Sequence, residues 1–244
     1  MIDGLRRGKP AFLASVTSAG EAEIALTGGA DIIDCKDPAS GALGALDIDT
    51  VREIVARVGG RLPVSATIGD LPSDPDVLVT ATADMARTGV DVVKIGFFGG
   101  DDPRLAIWAL GAAHAASTRL VAVLMADQDP DFALVPELAA AGFAGVMLDT
   151  ADKAAGGLTT VLPVARLTEF LHLAREHGLF AGLAGSLKES DIAVLTLLEP
   201  DMLGFRGALC SSGRVSAIEF NRVVAVRHGL DAARLAKVRE TSVA

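Results

Sequence analysis

One short unit recurs along this chain and limits what it can fold into: an Ala-rich stretch, a Gly, a β-branched apolar run, then polar residues. It reads Thr27-Gly28-Gly29-Ala30-Asp31-Ile32-Ile33-Asp34-Cys35-Lys36, and again Thr88-Gly89-Val90-Asp91-Val92-Val93-Lys94-Ile95-Gly96. It returns at 141–149 (Ala141-Gly142 through Met147-Leu148-Asp149) and more loosely at 177–186 (His177-Gly178 through Ala184-Gly185-Ser186). The Gly suits a helix end in left-handed backbone conformation, and the run after it suits a buried strand. Collected together, such runs predict eight strands, near 11–16, 31–36, 64–68, 92–96, 119–125, 145–149, 180–184 and 202–206. Helical patterns at 78–88, 104–116, 132–141, 163–177 and 216–228 separate most of them. Strands alternating with helices make parallel βαβ units. Eight units in 244 residues match the size of a (β/α)8 barrel. A doubly wound open sheet is the rival, but no GxGxxG follows the first strand. The expected fold is therefore α/β, a single (β/α)8 TIM barrel over 1–244, with a short N-terminal extension (1–10) and a C-terminal helix and tail (216–244).

Composition narrows the function classes. Half the residues are hydrophobic and mean hydropathy is +0.43, yet no apolar run reaches the roughly 18–20 residues that span a bilayer. A net charge of −9 disfavours broad binding to nucleic acid or acidic lipid, while leaving room for local phosphate pockets. Residues 1–10 carry Arg6, Arg7 and Lys9 without an apolar segment and cleavage site, so no signal peptide is read. Only Cys35 and Cys210 are present, with no CxxC pair, which makes a reducing cytoplasmic setting the default. His114, His172, His177 and His228 fall in helical patterns, so no metal site is expected. Cys35 reads as packing, Trp108 as core, and Cys210 lacks a His to activate it.

In such a barrel the active site lies at the C-terminal ends of the strands. Asp34 and Lys36 fall five and seven residues after Gly29, Lys94 five after Gly89, and Asp149 seven after Gly142. Alternation along a strand gives these positions one face. If that face is inward, two ammonium and two carboxylate groups meet in one interior layer at the upper end. A structural salt-bridge network is the bland alternative, but burying two ion pairs seldom yields net stability. A partly buried ammonium beside a second one gives up its proton more readily, and the neutral amine attacks carbonyls. Asp34 and Asp149 would then move protons through carbinolamine and enamine stages.

Loops after strands seven and eight often bind phosphate in this fold. Here they are Ala184-Gly185-Ser186 and Phe205-Arg206-Gly207-Ala208. Gly185, Ser186, Arg206 and Gly207 are therefore the candidate phosphate ligands. Ser186 also reads as the N-cap of a helix through Lys188 to Leu198, and Arg206 as either a phosphate clamp or a surface ion-pair member. The Gly/Ser-rich loop 36–45 is read as a lid or a turn.

At these residues the sequence resembles the (5-formylfuran-3-yl)methyl phosphate synthase family, also called 4-(hydroxymethyl)-2-furancarboxaldehyde-phosphate synthase. The resemblance spans roughly Phe12 to Ser212 and rests on residues 28–38, 41–45 and 63–70 (Pro-Val-Ser-Ala-Thr-Ile-Gly-Asp), Val-Lys-Ile-Gly (93–96), Met-Leu-Asp-Thr (147–150) with Lys153, Leu-Ala-Gly-Ser-Leu-Lys (183–188) and Arg-Gly-Ala (206–208). It is looser before Phe12 and over 210–214. The resemblance implies a (β/α)8 lyase that condenses two molecules of glyceraldehyde 3-phosphate, releasing one phosphate and two waters, in methanofuran or methylofuran biosynthesis. It places the Schiff-base lysine on Lys36, its partner aspartate on Asp34, a second essential lysine on Lys94, and further site residues on Asp149 and Lys153. It implies no organic cofactor or metal. The alternative from the residues alone is a Schiff-base aldolase for another sugar phosphate; a non-catalytic phosphate-binding barrel is a third reading. The high mean hydropathy suggests a homo-oligomer.

Overall fold

Strands form where apolar residues run nearly unbroken, because both faces of each are covered. The structure, a computed structural model, describes residues 10–100, 102–114, 116–152 and 154–241, excepting the side chains of 237–241. Eight parallel strands, β1 (Ala11–Val16), β2 (Ile32–Cys35), β3 (Val64–Thr67), β4 (Val92–Phe97), β5 (Arg119–Met125), β6 (Gly145–Asp149), β7 (Phe180–Leu183) and β8 (Met202–Phe205), close in sequence order into a barrel. Around it lie α1 (Ala19–Thr27), α2 (Ile48–Val58), α3 (Pro75–Ala86), α4 (Arg104–His114), α5 (Leu134–Ala140), α6 (Leu158–Val161), α7 (Val164–Glu176), α8 (Ile192–Leu197) and α9 (Phe220–Thr241). The repeat glycines Gly29, Gly89, Gly142 and Gly178 all have positive φ, at 97°, 90°, 87° and 73°.

Three helix starts are set locally. Ser18, Asp47 and Asp74 accept the N–H of Glu21, Thr50 and Val77, and Pro75 opens α3 without needing an N–H. The aspartate of the repeat has a second duty. Asp31 and Asp91, and Asp201 before β8, each accept an N–H from the first or second residue of the preceding strand, Phe12, Val64 and Ala181, while their own N–H groups donate to the carbonyls of the same three residues. Each carboxylate thus fastens one strand start to the next.

Alternation divides the core. Ile33, Cys35, Val93, Ile95, Val146 and Leu148 face the helices, whereas Ile32, Val92, Val121, Val123, Met125 and Met147 fill the barrel interior. Cys35 is buried on the helix-facing side, where burial pushes its thiol upward. Trp108 is not core: it is 49% exposed. The buried stripe of α4 runs through Ala106, Ile107 and Leu110, and Trp108 is one position off it. Residues 1–9, most of the expected N-terminal extension, lie outside the described residues; α9 occupies most of the expected C-terminal segment. Among the described residues no helix is long and apolar enough to cross a membrane.

Candidate active site

The upper interior of the barrel is polar. Asp34, Lys36, Lys94 and Asp149 line one cavity of about 390 Å³, with Ser15 and Arg214 also at its wall. The four charges form two ion pairs, Lys36 Nζ to Asp149 Oδ2 at 2.9 Å and Lys94 Nζ to Asp34 Oδ1 at 2.7 Å. All four side chains are under a tenth exposed. The four groups converge on one cavity, as two ion pairs. Each ammonium meets a carboxylate, and the pairs sit on successive levels, since Asp34 and Lys36 are two residues apart along one strand direction.

Barrel geometry accounts for the pairing. By hydrogen-bond register Lys94 aligns with Thr67, two residues beyond the Ser65 that aligns with Asp34. Strand tilt shifts the level by about one residue per strand in a barrel of shear eight. Two strand steps therefore lower Lys94 to Asp34. The same shift brings Asp149, four residues past the Gly145 that registers with Val121 and so with Lys94, level with Lys36.

The two carboxylates are finished differently. Asp34 accepts Ser15 Oγ at 2.9 Å and Ser65 Oγ at 2.6 Å besides Lys94. Asp149 accepts the N–H of Thr150 at 2.7 Å besides Lys36. Asp34 is thus the partner of Lys94, not of Lys36. Ser15 and Ser65 are site residues that a strict reading of strand parity would have found.

Ser186 is not a helix cap. It adopts φ 50° after Gly185 at 107°, and the chain continues through a 3-10 turn (Glu189–Asp191) into α8. Lys188 takes the capping place, its N–H held by Asp191 at 2.8 Å. The positive φ pair turns the backbone at the cavity wall, leaving the Ser186 N–H without an acceptor among the described residues; the same holds for Gly207 and Ala208. Arg206 is neither a phosphate clamp nor a surface residue. All five guanidinium N–H groups are engaged, with Glu21, Ser15 O, Arg214 O and Ser216 O. Burial raises the Glu21 carboxyl, but Arg206 and the N–H groups of Thr17 and Ile218 outweigh it and hold the group below the usual range. Nothing in sequence marks Glu21, which reads as an ordinary first-turn acid.

The loop 36–45 is neither free turn nor free lid. Asp70 accepts the N–H of Ala42 at 2.7 Å and Leu43 at 2.6 Å, and Arg214 Nη2 donates to Gly41 O at 3.0 Å. Gly41, at φ 113°, packs so closely on Asp70 that a Cβ would collide with the carboxylate. Burial draws the Arg214 guanidinium below the usual arginine range, with Asp149 opposing. Cys210 is buried, its Sγ near Arg206 O and Ser216 O, and burial pushes its thiol up. Lys153 lies outside the described residues. Among the described residues no three His, Cys, Asp or Glu side chains are grouped to hold a metal ion.

A family model described as 4-HFC-P synthase matches residues 12–227. The chain belongs to the 4-HFC-P synthase family. A Methylorubrum extorquens relative, provisionally named (5-formylfuran-3-yl)methyl phosphate synthase, is 46% identical over 91% of this chain and 92% of its own. The (5-formylfuran-3-yl)methyl phosphate synthase of Methanopyrus kandleri is 38% identical over 84% and 91%. This member of the 4-HFC-P synthase family is thus an enzyme. Its barrel also resembles solved structures at low identity. Phosphoribosyl anthranilate isomerase from Thermus thermophilus has a TM-score of 0.65 at 15% identity, covering 91% of this chain and 98% of that one. The 3-hexulose-6-phosphate synthase of Salmonella typhimurium has a TM-score of 0.65 at 16%, covering 91% and 99%. These likenesses concern the fold alone.

Proposed function

We propose that this enzyme is a lyase that condenses two molecules of glyceraldehyde 3-phosphate into (5-formylfuran-3-yl)methyl phosphate, with loss of one phosphate and two waters, in the making of a methanofuran-type coenzyme. The carrying observation is the Lys36–Asp149 pair at the cavity wall in a chain of this family. Lys36 gives its proton to Asp149, 2.9 Å away, and its amine attacks the carbonyl carbon of one triose. The carbinolamine loses water to give the imine, with Asp149 returning the proton to the departing oxygen. Loss of an α-proton yields the enamine, whose carbon attacks the aldehyde of the second triose. Elimination of phosphate and two waters with ring closure, then hydrolysis of the imine by a water that replaces the one lost in forming it, releases Lys36 and leaves the furan carrying one phosphate. Lys94, held by Asp34, keeps a fixed positive charge facing the cavity and stabilises oxyanions that develop there. With three donors on it, Asp34 holds Lys94 rather than shuttling protons. Lys153 is carried over as a further site residue from the resemblance, and the N–H groups of Ser186 and Gly207, beside Gly185, take a substrate phosphate.

The test is incubation with glyceraldehyde 3-phosphate, following ultraviolet absorbance and free phosphate, with a borohydride-quenched aliquot mapped by mass spectrometry. Furan absorbance rising with phosphate and a reduced adduct on Lys36 are expected. An adduct on Lys94 in active enzyme overturns the assignment of the nucleophile. An adduct without furan or phosphate overturns the reaction in favour of an ordinary Schiff-base aldolase.

A further inference from the structure

Among the described residues at the cavity wall, Lys36, Lys94, Arg206 and Arg222 each have a carboxylate partner. Lys188 is exposed. Arg214 differs from all of these. It is partly buried and its one hydrogen bond is to the Gly41 carbonyl, so four of its five N–H groups have no acceptor among the described residues. Asp149, Asp70 and Asp37 act on it only from a distance, and among the described residues none forms an ion pair with it; a planar guanidinium fork with free donors matches a phosphate with two parallel hydrogen bonds.

Its mounting is prepared. Asp70 pins the N–H groups of Ala42 and Leu43 and so presents the Gly41 carbonyl that holds the guanidinium. The Arg214 carbonyl is itself held by Nε of Arg206 at 2.8 Å, which ties its backbone to the buried Glu21–Arg206 pair. Arg214 thus belongs to the loop after β8 but is anchored beside the loop after β2, where Lys36 stands.

We infer that Arg214 is a second phosphate subsite, holding the phosphomonoester of one triose while the N–H groups of Ser186, Gly207 and Ala208 hold that of the other. The inference rests on the two-triose reading above: condensation brings two phosphates into one cavity, and Arg206, the more obvious arginine, has no donor left for either.

The test counts phosphates on the intact, substrate-free enzyme by calorimetric titration with inorganic phosphate. Wild type binds two equivalents and Arg214→Gln one. Arg214→Lys, which keeps charge without the fork, recovers the second site with weaker affinity. In parallel, the glyceraldehyde 3-phosphate concentration giving half-maximal rate rises about 10- to 100-fold in Arg214→Gln, with kcat changed less than about threefold. Two equivalents retained by Arg214→Gln, or one in both proteins, overturns the subsite. Failure of wild type to form furan overturns the reaction instead, and the phosphate count separates the two.

Discussion

Glu21–Arg206 and Lys36–Asp149 are buried to nearly the same degree, with side chains 8% and 9% exposed in the first and 9% and 7% in the second. In the first, all five guanidinium donors and the carboxylate are engaged by protein, and the pair fastens the loop after β1 to the loop after β8. In the second, the ammonium faces a cavity and has one partner among the described residues. Burial alone therefore does not separate a fastening from a reactive group; the count of remaining donors does.

The sharpest way to break this contrast is Lys36→Met. Turnover falls at least about 10⁴-fold, because the covalent route is lost, while the circular dichroism spectrum is kept. Residual activity within tenfold of wild type would sink the distinction. Arg206→Met strands a buried carboxylate and costs about 3–5 kcal/mol by denaturant titration. Adding Glu21→Gln to it costs less than the two single losses summed, because the partners couple. Additive losses would mean that the pair is not a unit.

Both pairs were only half legible beforehand. Period-two alternation in Ile32-Ile33-Asp34-Cys35-Lys36 put Asp34 and Lys36 on one face, and the structure turns that face inward. Arg206, by contrast, follows a strand end as a site residue would, and its destination depends on Glu21, far away in sequence.

Two smaller effects sharpen the comparison. Asp70→Asn leaves one carboxamide oxygen where two carboxylate oxygens accepted N–H groups, and amide exchange at Ala42 and Leu43 quickens about tenfold. Unchanged exchange would show that Asp70 does not hold the loop. The acid limb of stability is the mildest readout. The folded carboxyl of Glu21 lies below its unfolded value near about 4.3, so its contribution is complete above that pH and is lost as pH falls through the folded value. Glu21→Gln therefore lowers stability at neutral pH and flattens its decline below about pH 4. A decline as steep as in wild type would remove Glu21 from the acid limb.

The sequence by itself determined the eightfold alternation, the shared parity of Asp34, Lys36, Lys94 and Asp149, and the family motifs, because each is written in spacings of a few residues. Only the tertiary structure decided which lysine meets which aspartate. That choice is made by strand tilt, about one residue of level per strand, accumulated across strands far apart in the chain. It likewise gave Arg206 to Glu21 and left Arg214 facing the cavity. A guanidinium reaches several residues from its own backbone, and its partner is whichever acceptor the closed barrel brings within hydrogen-bond distance.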